Sequence, residues 1–432
     1  SLKEKSLGLF PTKLESEHYD IILISHLNSL ESLKLQNDFY FGDFKRELDK
    51  NKLSTLTVYL NKTNKKNLTT HTTCITEGLP NRIILGLSMS IFFELKNFFI
   101  IIKNSFLILK EYFESGSSMH KAVILGSFLE NFSGNTRNNY RIGTQISKLF
   151  GRFTPKFLII TYEGHAWERI VFNKAKSSLP YIKCIAYQHS RIFQMQHSLK
   201  RPLGIGYDPD IIWTSGMIGK KFLKDCYDNN YTKIENVGSD RFNDFKKTKI
   251  KKTKPKKKKQ TCLVIPEGYI SECLFLFEFS FLYALKHPNL NFIWRLHPEM
   301  SYSVLKKHSK IFNKIPKNII LSNDKLKNDI AKSKYALYRG STSIFFALSS
   351  GLMPIYYEIS NEINIDPLCY LKNKSHTVGS IESMERLLNR YEIENFQSVS
   401  YLNDIQNLLL KLFSPINYLK ILNHLEKKHN ED

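Results

Sequence analysis

Short, mainly apolar runs recur along the chain, and most of them end in small polar residues. In the first half they are Tyr19–Leu27 (YDIILISHL), Leu53–Leu60, Phe157–Thr161, Tyr181–Tyr187, Ile211–Thr214 and Ile234–Gly238. In the second half they are Thr261–Pro266, Asn291–Leu296, Asn318–Leu321, Tyr335–Tyr338 and Met353–Tyr357. Unbroken apolarity, rather than alternation, predicts strands covered on both faces, as in a parallel sheet. The intervening stretches read as helices: up to about Asn51, then 82–114, 135–150, up to about Ser177, 270–286, Ile344–Ser350 closed by Gly351, and from about Ser380 onward. Strand–helix alternation predicts an α/β architecture. Residues 1–18 are polar and read as peripheral.

The alternation is interrupted once. Lys246–Lys259 (KKTKIKKTKPKKKK) has a proline and no apolar periodicity, so it reads as a solvated loop or linker. It divides the chain into a Rossmann-like domain at 1–245, a Lys-rich linker at 246–260, a second Rossmann-like domain at 261–380, and helices at 381–432 that pack back on the first domain. The net charge is +23, but this run holds ten of the lysines. Lysine also outnumbers arginine, and Asn and Ile are abundant, the mark of an AT-rich coding bias. The basic balance is therefore discounted as a functional signal. Nucleic acid is not expected as a partner, because the lysines lack interleaved aromatics and a recognised binding motif. An anionic membrane surface remains a partner for Lys246–Lys259. Arg82–Phe113 is the most apolar long stretch, yet Glu94, Lys96, Lys103 and Lys110 interrupt it. It is too broken to span a bilayer. A buried amphipathic helix pair is expected, with an interfacial membrane helix as the alternative. The six cysteines are scattered without a CxxC pair, which predicts free thiols in a reducing cytoplasm and no zinc site.

In open parallel sheets ligands bind at the carboxyl ends of strands, and the polar residues gather there. Arg339-Gly340-Ser341-Thr342-Ser343 follows one strand and opens a helix, an arrangement that can hold a phosphate. A plain N-cap is the alternative. Arg295-Leu296-His297-Pro298 leaves another strand, where His297 can donate to a phosphate oxygen and Arg295 can add charge. Glu267-Gly268 ends the first strand of the second half, either as a helix cap or as a contact to a sugar or ribose. Glu163 ends FLIIT beside Gly164 and His165, placed to act as general base or nucleophile. A helix N-terminal acid is the structural alternative. Glu168, one turn on, suits a cap or a pair with Arg169. Gln188-His189-Ser190 ends the neighbouring strand, and a Glu163/His189 pair suits proton transfer near neutrality. GxxxxGK[ST], GxGxxG and HExxH are all missing, which argues against a P-loop NTPase, a simple dinucleotide enzyme and a zincin. Asp208-Pro209-Asp210 precedes a strand instead of following one, so a metal-independent reaction is expected.

These residues resemble a GT-B glycosyltransferase. RLHP and RGSTSIFFALSSGLMPIYY are similar to the His-Pro and Ser/Thr motifs of capsular Kdo transferases and polysialyltransferases. FYFGDF, TYEGHAWER and AYQHS look like a family of surface-carbohydrate biosynthesis proteins. The likeness covers roughly residues 20–360. It implies two Rossmann-like domains facing across a cleft and transfer of Kdo or a nonulosonic acid from a CMP-sugar to a growing surface glycan. By position, His297, Ser341, Thr342 and Ser343 would hold the donor phosphate, with Arg295, Pro298, Gly340, Glu267 and Gly268 around it. Glu163 would be the catalytic carboxylate with His189, while His165, Gln188 and Ser190 line the acceptor side. A cytoplasmic enzyme is implied, with a glycan or lipid-linked acceptor, no cofactor beyond the nucleotide-sugar donor, and a peripheral place at the inner membrane. TYEGHAWE departs from the acidic motif of the polysialyltransferases, so inverting and retaining courses both stay open. Two other readings are a nucleotide-sugar epimerase and a basic membrane- or nucleic-acid-binding protein.

Overall fold

A computed structural model describes residues 6–63, 75–193, 195–227, 231–240, 260–298, 300–371, 376–393 and 399–426. The Lys246–Lys259 run lies outside the described residues. Two sheets carry the fold, one on each side of that run. The first holds β1 (Leu9–Pro11), β2 (Ile21–Leu27), β3 (Thr55–Asn61), β4 (Arg82–Leu85), β5 (Phe157–Thr161), β6 (Lys183–Gln188), β7 (Ile211–Thr214) and β8 (Lys233–Asn236). Its order is β1-β4-β3-β2-β5-β6-β7-β8, parallel throughout except for β1. The second holds β9 (Thr261–Ile265), β10 (Asn291–Arg295), β11 (Ile319–Ser322), β12 (Tyr335–Tyr338), β13 (Met353–Tyr357) and β14 (Thr377–Val378), in the order β11-β10-β9-β12-β13-β14.

Both sheets follow one logic. Setting the edge strand β1 aside, the chain enters each sheet in the middle, at β2 and β9, walks outward, then crosses back past that strand. The strand order reverses between β2 and β5, and again between β9 and β12. Such a reversal leaves a crevice at the strands' carboxyl ends, because the flanking helices lie on opposite faces. The apolar runs behave as parallel strands should. Every residue of β3, β4, β5 and β9 is buried, and the two faces of the second sheet feed separate cores, one around Trp294 and one around Tyr338.

Three expectations are corrected. Residues 6–12 are not peripheral, since Leu7 and Leu9 are buried and β1 pairs antiparallel with β4. Arg82–Leu85 is a strand, and the helix begins only at Ile91, running to Glu114. A four-residue strand running into an apolar helix has no period of its own to reveal it. The long helix is also not a buried pair. Phe92, Phe99, Phe106 and Phe113 stand exposed on it.

The last helix, Tyr418–Glu426, lies against the first sheet. Ile421 and Leu425 pack beside Trp213, whose indole N–H donates to His424 Nδ1 at 2.9 Å.

Candidate functional site

Glu163 and Gly164 follow β5 directly, at the point where the first sheet reverses. Three backbone N–H groups hold this turn by donating to the Glu168 carboxylate: Glu163 (3.0 Å), Gly164 (2.8 Å) and His165 (2.8 Å). Glu168 therefore caps its helix, Ala166–Ser178, and leaves Arg169 to pair with the buried Asp208. Burial pushes the Glu168 carboxyl up to about 8, against the pull of His165 and the backbone donors. From the other side Ser198 Oγ and Gln196 Nε2 donate to the Glu163 carbonyl at 2.9 and 3.1 Å. Gly164 has φ +82°, and a Cβ there would sit 2.6 Å from the Ser198 carbonyl carbon, so only glycine fits. Glu168→Ala strands three donors and is expected to cost about 2 kcal/mol of stability, read as a lower midpoint in urea unfolding.

The Glu163 carboxylate, with 36% of its side chain exposed, gathers its neighbours. His165 Nε2 lies 3.2 Å from Oε2, and His189 Nε2 lies 3.7 Å from Oε1, brought there because β5 and β6 are adjacent. The Ser190 hydroxyl also bonds to Glu163. Burial opposes the charge, but His165, His189 and Ser190 outweigh it and hold the carboxyl well below the usual carboxylate range. The reciprocal effect raises His165 above its ordinary value of 6.5, the Glu163 hydrogen bond overcoming desolvation. More than half of the His165 side chain is exposed, whereas His189 is buried.

Residues missed in the sequence complete this wall. His26, at the end of β2, packs edge-on to Tyr40 (5.4 Å) and Trp167 (5.8 Å). Tyr40 in turn meets His189 at 4.7 Å. Asp38 shapes the loop that presents Tyr40, accepting from Ser25 Oγ and from the N–H groups of Tyr40 and Phe41 at 2.8–2.9 Å. Burial drives His26 down to about 3, so it is neutral. The only sequence signal was position, a His ending a strand and an aromatic loop before a helix. Gln188 is buried and turned aside, its Oε1 against Gly219.

The opposite wall is the carboxyl edge of the second sheet. The order β10-β9-β12 sets the exit of β9, Glu267-Gly268, between His297-Pro298 and Gly340–Ser343. Gly268 and Pro298 line one groove, together with Tyr269, Ser271, Met300 and Ser301. The Glu267 carboxylate lies across Gly340, where an added Cβ would come 2.1 Å from Oε1. Burial and the nearby Glu272 push Glu267 up from its ordinary value. Ser341 is buried, Thr342 and Ser343 are half-buried, and the Ser343 side chain makes no cap hydrogen bond to the six-residue helix it precedes. Arg339 is buried beneath the turn, donating to Glu272 (2.7 Å) and to the Tyr357 carbonyl (3.1 Å). Arg295 points elsewhere, donating to Asp329 (2.9 Å) and the Asp324 carbonyl (2.6 Å).

Arg191, just past Ser190, joins the walls. Its guanidinium donates to the carbonyls of Asp366 (2.7 Å) and Ile365 (3.3 Å) in the second half and feels the Glu267 charge. Asp366 is itself gripped by Tyr338 Oη at 2.9 Å and His376 Nε2 at 3.1 Å. The two reversal points thus face one cleft. Among the described residues no group of three or more His, Cys, Asp or Glu is placed to hold a metal ion.

No protein-family model and no curated protein matches the chain. Solved structures do. The UDP-GlcNAc 2-epimerase from Neisseria meningitidis bound to UDP-GlcNAc aligns with a TM-score of 0.54 at 10% identity, over 94% of this chain and 100% of that one. The UDP-N-acetylglucosamine 2-epimerase from Rickettsia bellii gives 0.51 at 11%, over 95% and 99%. The glycotransferase of kitacinnamycin gives 0.49 at 10%, over 95% and 99%. At such identities the likeness speaks for the fold alone: the chain has the GT-B architecture, two parallel-sheet α/β domains across a cleft.

Proposed function

We propose that the chain is a nucleotide-sugar enzyme that transfers a glycosyl group from a CMP-activated sugar acid, Kdo or a nonulosonic acid, to a growing surface glycan on the cytoplasmic side of the membrane. The observation that carries this reading is the facing pair of reversal points. One holds a solvent-accessible carboxylate–histidine pair, and the other a hydroxyl-bearing turn beside Glu267. The Ser/Thr turn with His297 supports a phosphate subsite, and its likeness to the CMP-binding motifs supports the donor class.

The acceptor hydroxyl oxygen attacks the anomeric carbon, the bond to the phosphate oxygen breaks, and CMP leaves. The proton passes to the Glu163–His165 pair. Glu163 alone is too acidic to keep it, so the proton rests on His165, and Glu163 stabilises the resulting cation. Charge developing on the leaving phosphate is met by His297 and the hydroxyls of Ser341, Thr342 and Ser343.

A second reading, epimerisation of a nucleotide sugar, is favoured by the alignments above 0.5, which are to UDP-GlcNAc 2-epimerases. One plate separates the donor classes. Melting with CMP, CDP, UDP, GDP and their sugars is expected to show a rise for CMP ligands, worth about 2.7 kcal/mol at a hundredfold excess over Kd. A rise with UDP ligands alone overturns the CMP assignment. Epimerised donor formed without acceptor establishes the second reading.

A further inference from the structure

The helical hairpin Ile91–Glu114 and Ser118–Asn131 is built inside out. Most of its buried positions are polar, with Asn97, Ser105 and Asn131 beside Ile101 and Ile124. Asn97 accepts from Thr144 Oγ1 (2.9 Å), and Asn131 donates to the Ile101 carbonyl (3.0 Å) and to Ser105 Oγ (2.7 Å). Its outward face is apolar. Phe92, Phe99, Phe106 and Phe113 recur every seven residues and are 66–77% exposed. Leu95, Ile102 and Leu109 follow at the same interval, so the stripe runs the length of the 24-residue helix. The second helix adds Met119, Val123 and Leu129, all exposed. Soluble helices put their apolar side inward, and an exposed apolar patch of this extent marks a contact surface.

Charge selects the occupant. Lys96, Lys103 and Lys110 share the seven-residue interval and sit beside the phenylalanines along the whole stripe. Glu94 is turned inward onto Arg141 at 2.8 Å, and the acid flanking the stripe at its far end is Glu114, 3.7 Å from Lys110. A second copy would set lysine rows against an identical seam, which opposes self-association. No described helix is long and apolar enough to cross a membrane. Aromatics interleaved with lysines on one face instead suit a helix lying in the headgroup region, its lysines reaching the phosphates.

The hairpin's place in the fold agrees. Helix Gly134–Phe153 packs on the first sheet through Ile146, Leu149, Phe150 and Phe153. Its Gln145 reaches the carbonyl of Gly86, just past the end of β4, at 3.2 Å. The hairpin is fastened ahead of that level, through Tyr140, Arg141 and Thr144. It therefore projects beyond the carboxyl edge of the sheet, the edge that carries Glu163.

We propose that this hairpin docks the protein flat on an anionic lipid bilayer, phenylalanines in the acyl boundary and lysines on the phosphates, with the cleft edge turned to the membrane. The test uses the full chain carrying Phe99→Trp, since Trp167, Trp213 and Trp294 are buried and give a constant background. Vesicles of phosphatidylcholine with about a third phosphatidylglycerol are added at physiological ionic strength. The expected result is a blue shift of the new emission, its quenching by brominated acyl chains, and partitioning that falls on the order of a hundredfold when Lys96, Lys103 and Lys110 become Gln. Unchanged Trp emission while the protein still sediments with vesicles would assign binding to the Lys246–Lys259 run and overturn the proposal. A blue-shifted emission without lipid, together with dimer mass by light scattering, would overturn it in favour of a second copy. Circular dichroism and an unchanged melting temperature verify that each variant is folded.

Discussion

Glu163→Gln is expected to lower turnover by about 10²–10⁴-fold, the usual worth of a positioned acid–base group. The substitution keeps size and removes charge, so the pH profile carries the argument. The pair accepts a proton only when His165 is neutral, so kcat/KM rises with pH through the His165 value, which the Glu163 hydrogen bond lifts above 6.5. With Gln at 163 that lift disappears, and the acidic limb is expected to move to lower pH. A wild-type rate would remove Glu163 from the chemistry. A reduced rate with an unmoved limb would leave it as a binding group and strip His165 of the proton.

Arg339→Met should be the most damaging substitution to the second domain. Arg339 is 2% exposed, and its removal leaves the Glu272 carboxylate, 14% exposed, without this partner next to Glu267, whose own carboxyl is already pushed upward. Breaking such a pair from one side costs about 3–5 kcal/mol. Urea unfolding followed by fluorescence of Trp294 reads the loss. Combining it with Glu272→Met should restore most of the stability, since the cost comes from the stranded charge rather than from lost attraction. A single variant within about 1 kcal/mol of wild type would mean that water or another cation reaches Glu272.

The strands were legible because parallel strands announce themselves. FLIIT, IIWT and YALY are apolar but for a closing threonine in the first two, and β5, β7 and β12 match those runs residue for residue. Glu163, His165, His189 and Ser190 were legible for the same reason, as polar residues ending apolar runs on adjacent strands. β1 and β4 were not: β1 is three residues long and pairs with β4 across more than seventy residues of chain, while β4 runs on toward an apolar helix that hides its end. His26 and Arg191 were missed because a lone polar residue carries no mark of its neighbours, and Tyr40, although within FYFGDF, was given no place in the site.

Local sequence by itself determined the α/β alternation, the break at Lys246–Lys259 and the edge on which polar residues collect. These follow from burial of backbone and side chains within a few residues. Tertiary structure alone decided which histidine shares the Glu163 charge, that Arg339 and Arg295 are taken up by Glu272 and Asp329, and that the phenylalanines of Ile91–Glu114 face outward. Each depends on strand order and helix placement, and an amphipathic helix presents the same pattern whether its apolar stripe meets a core or a membrane.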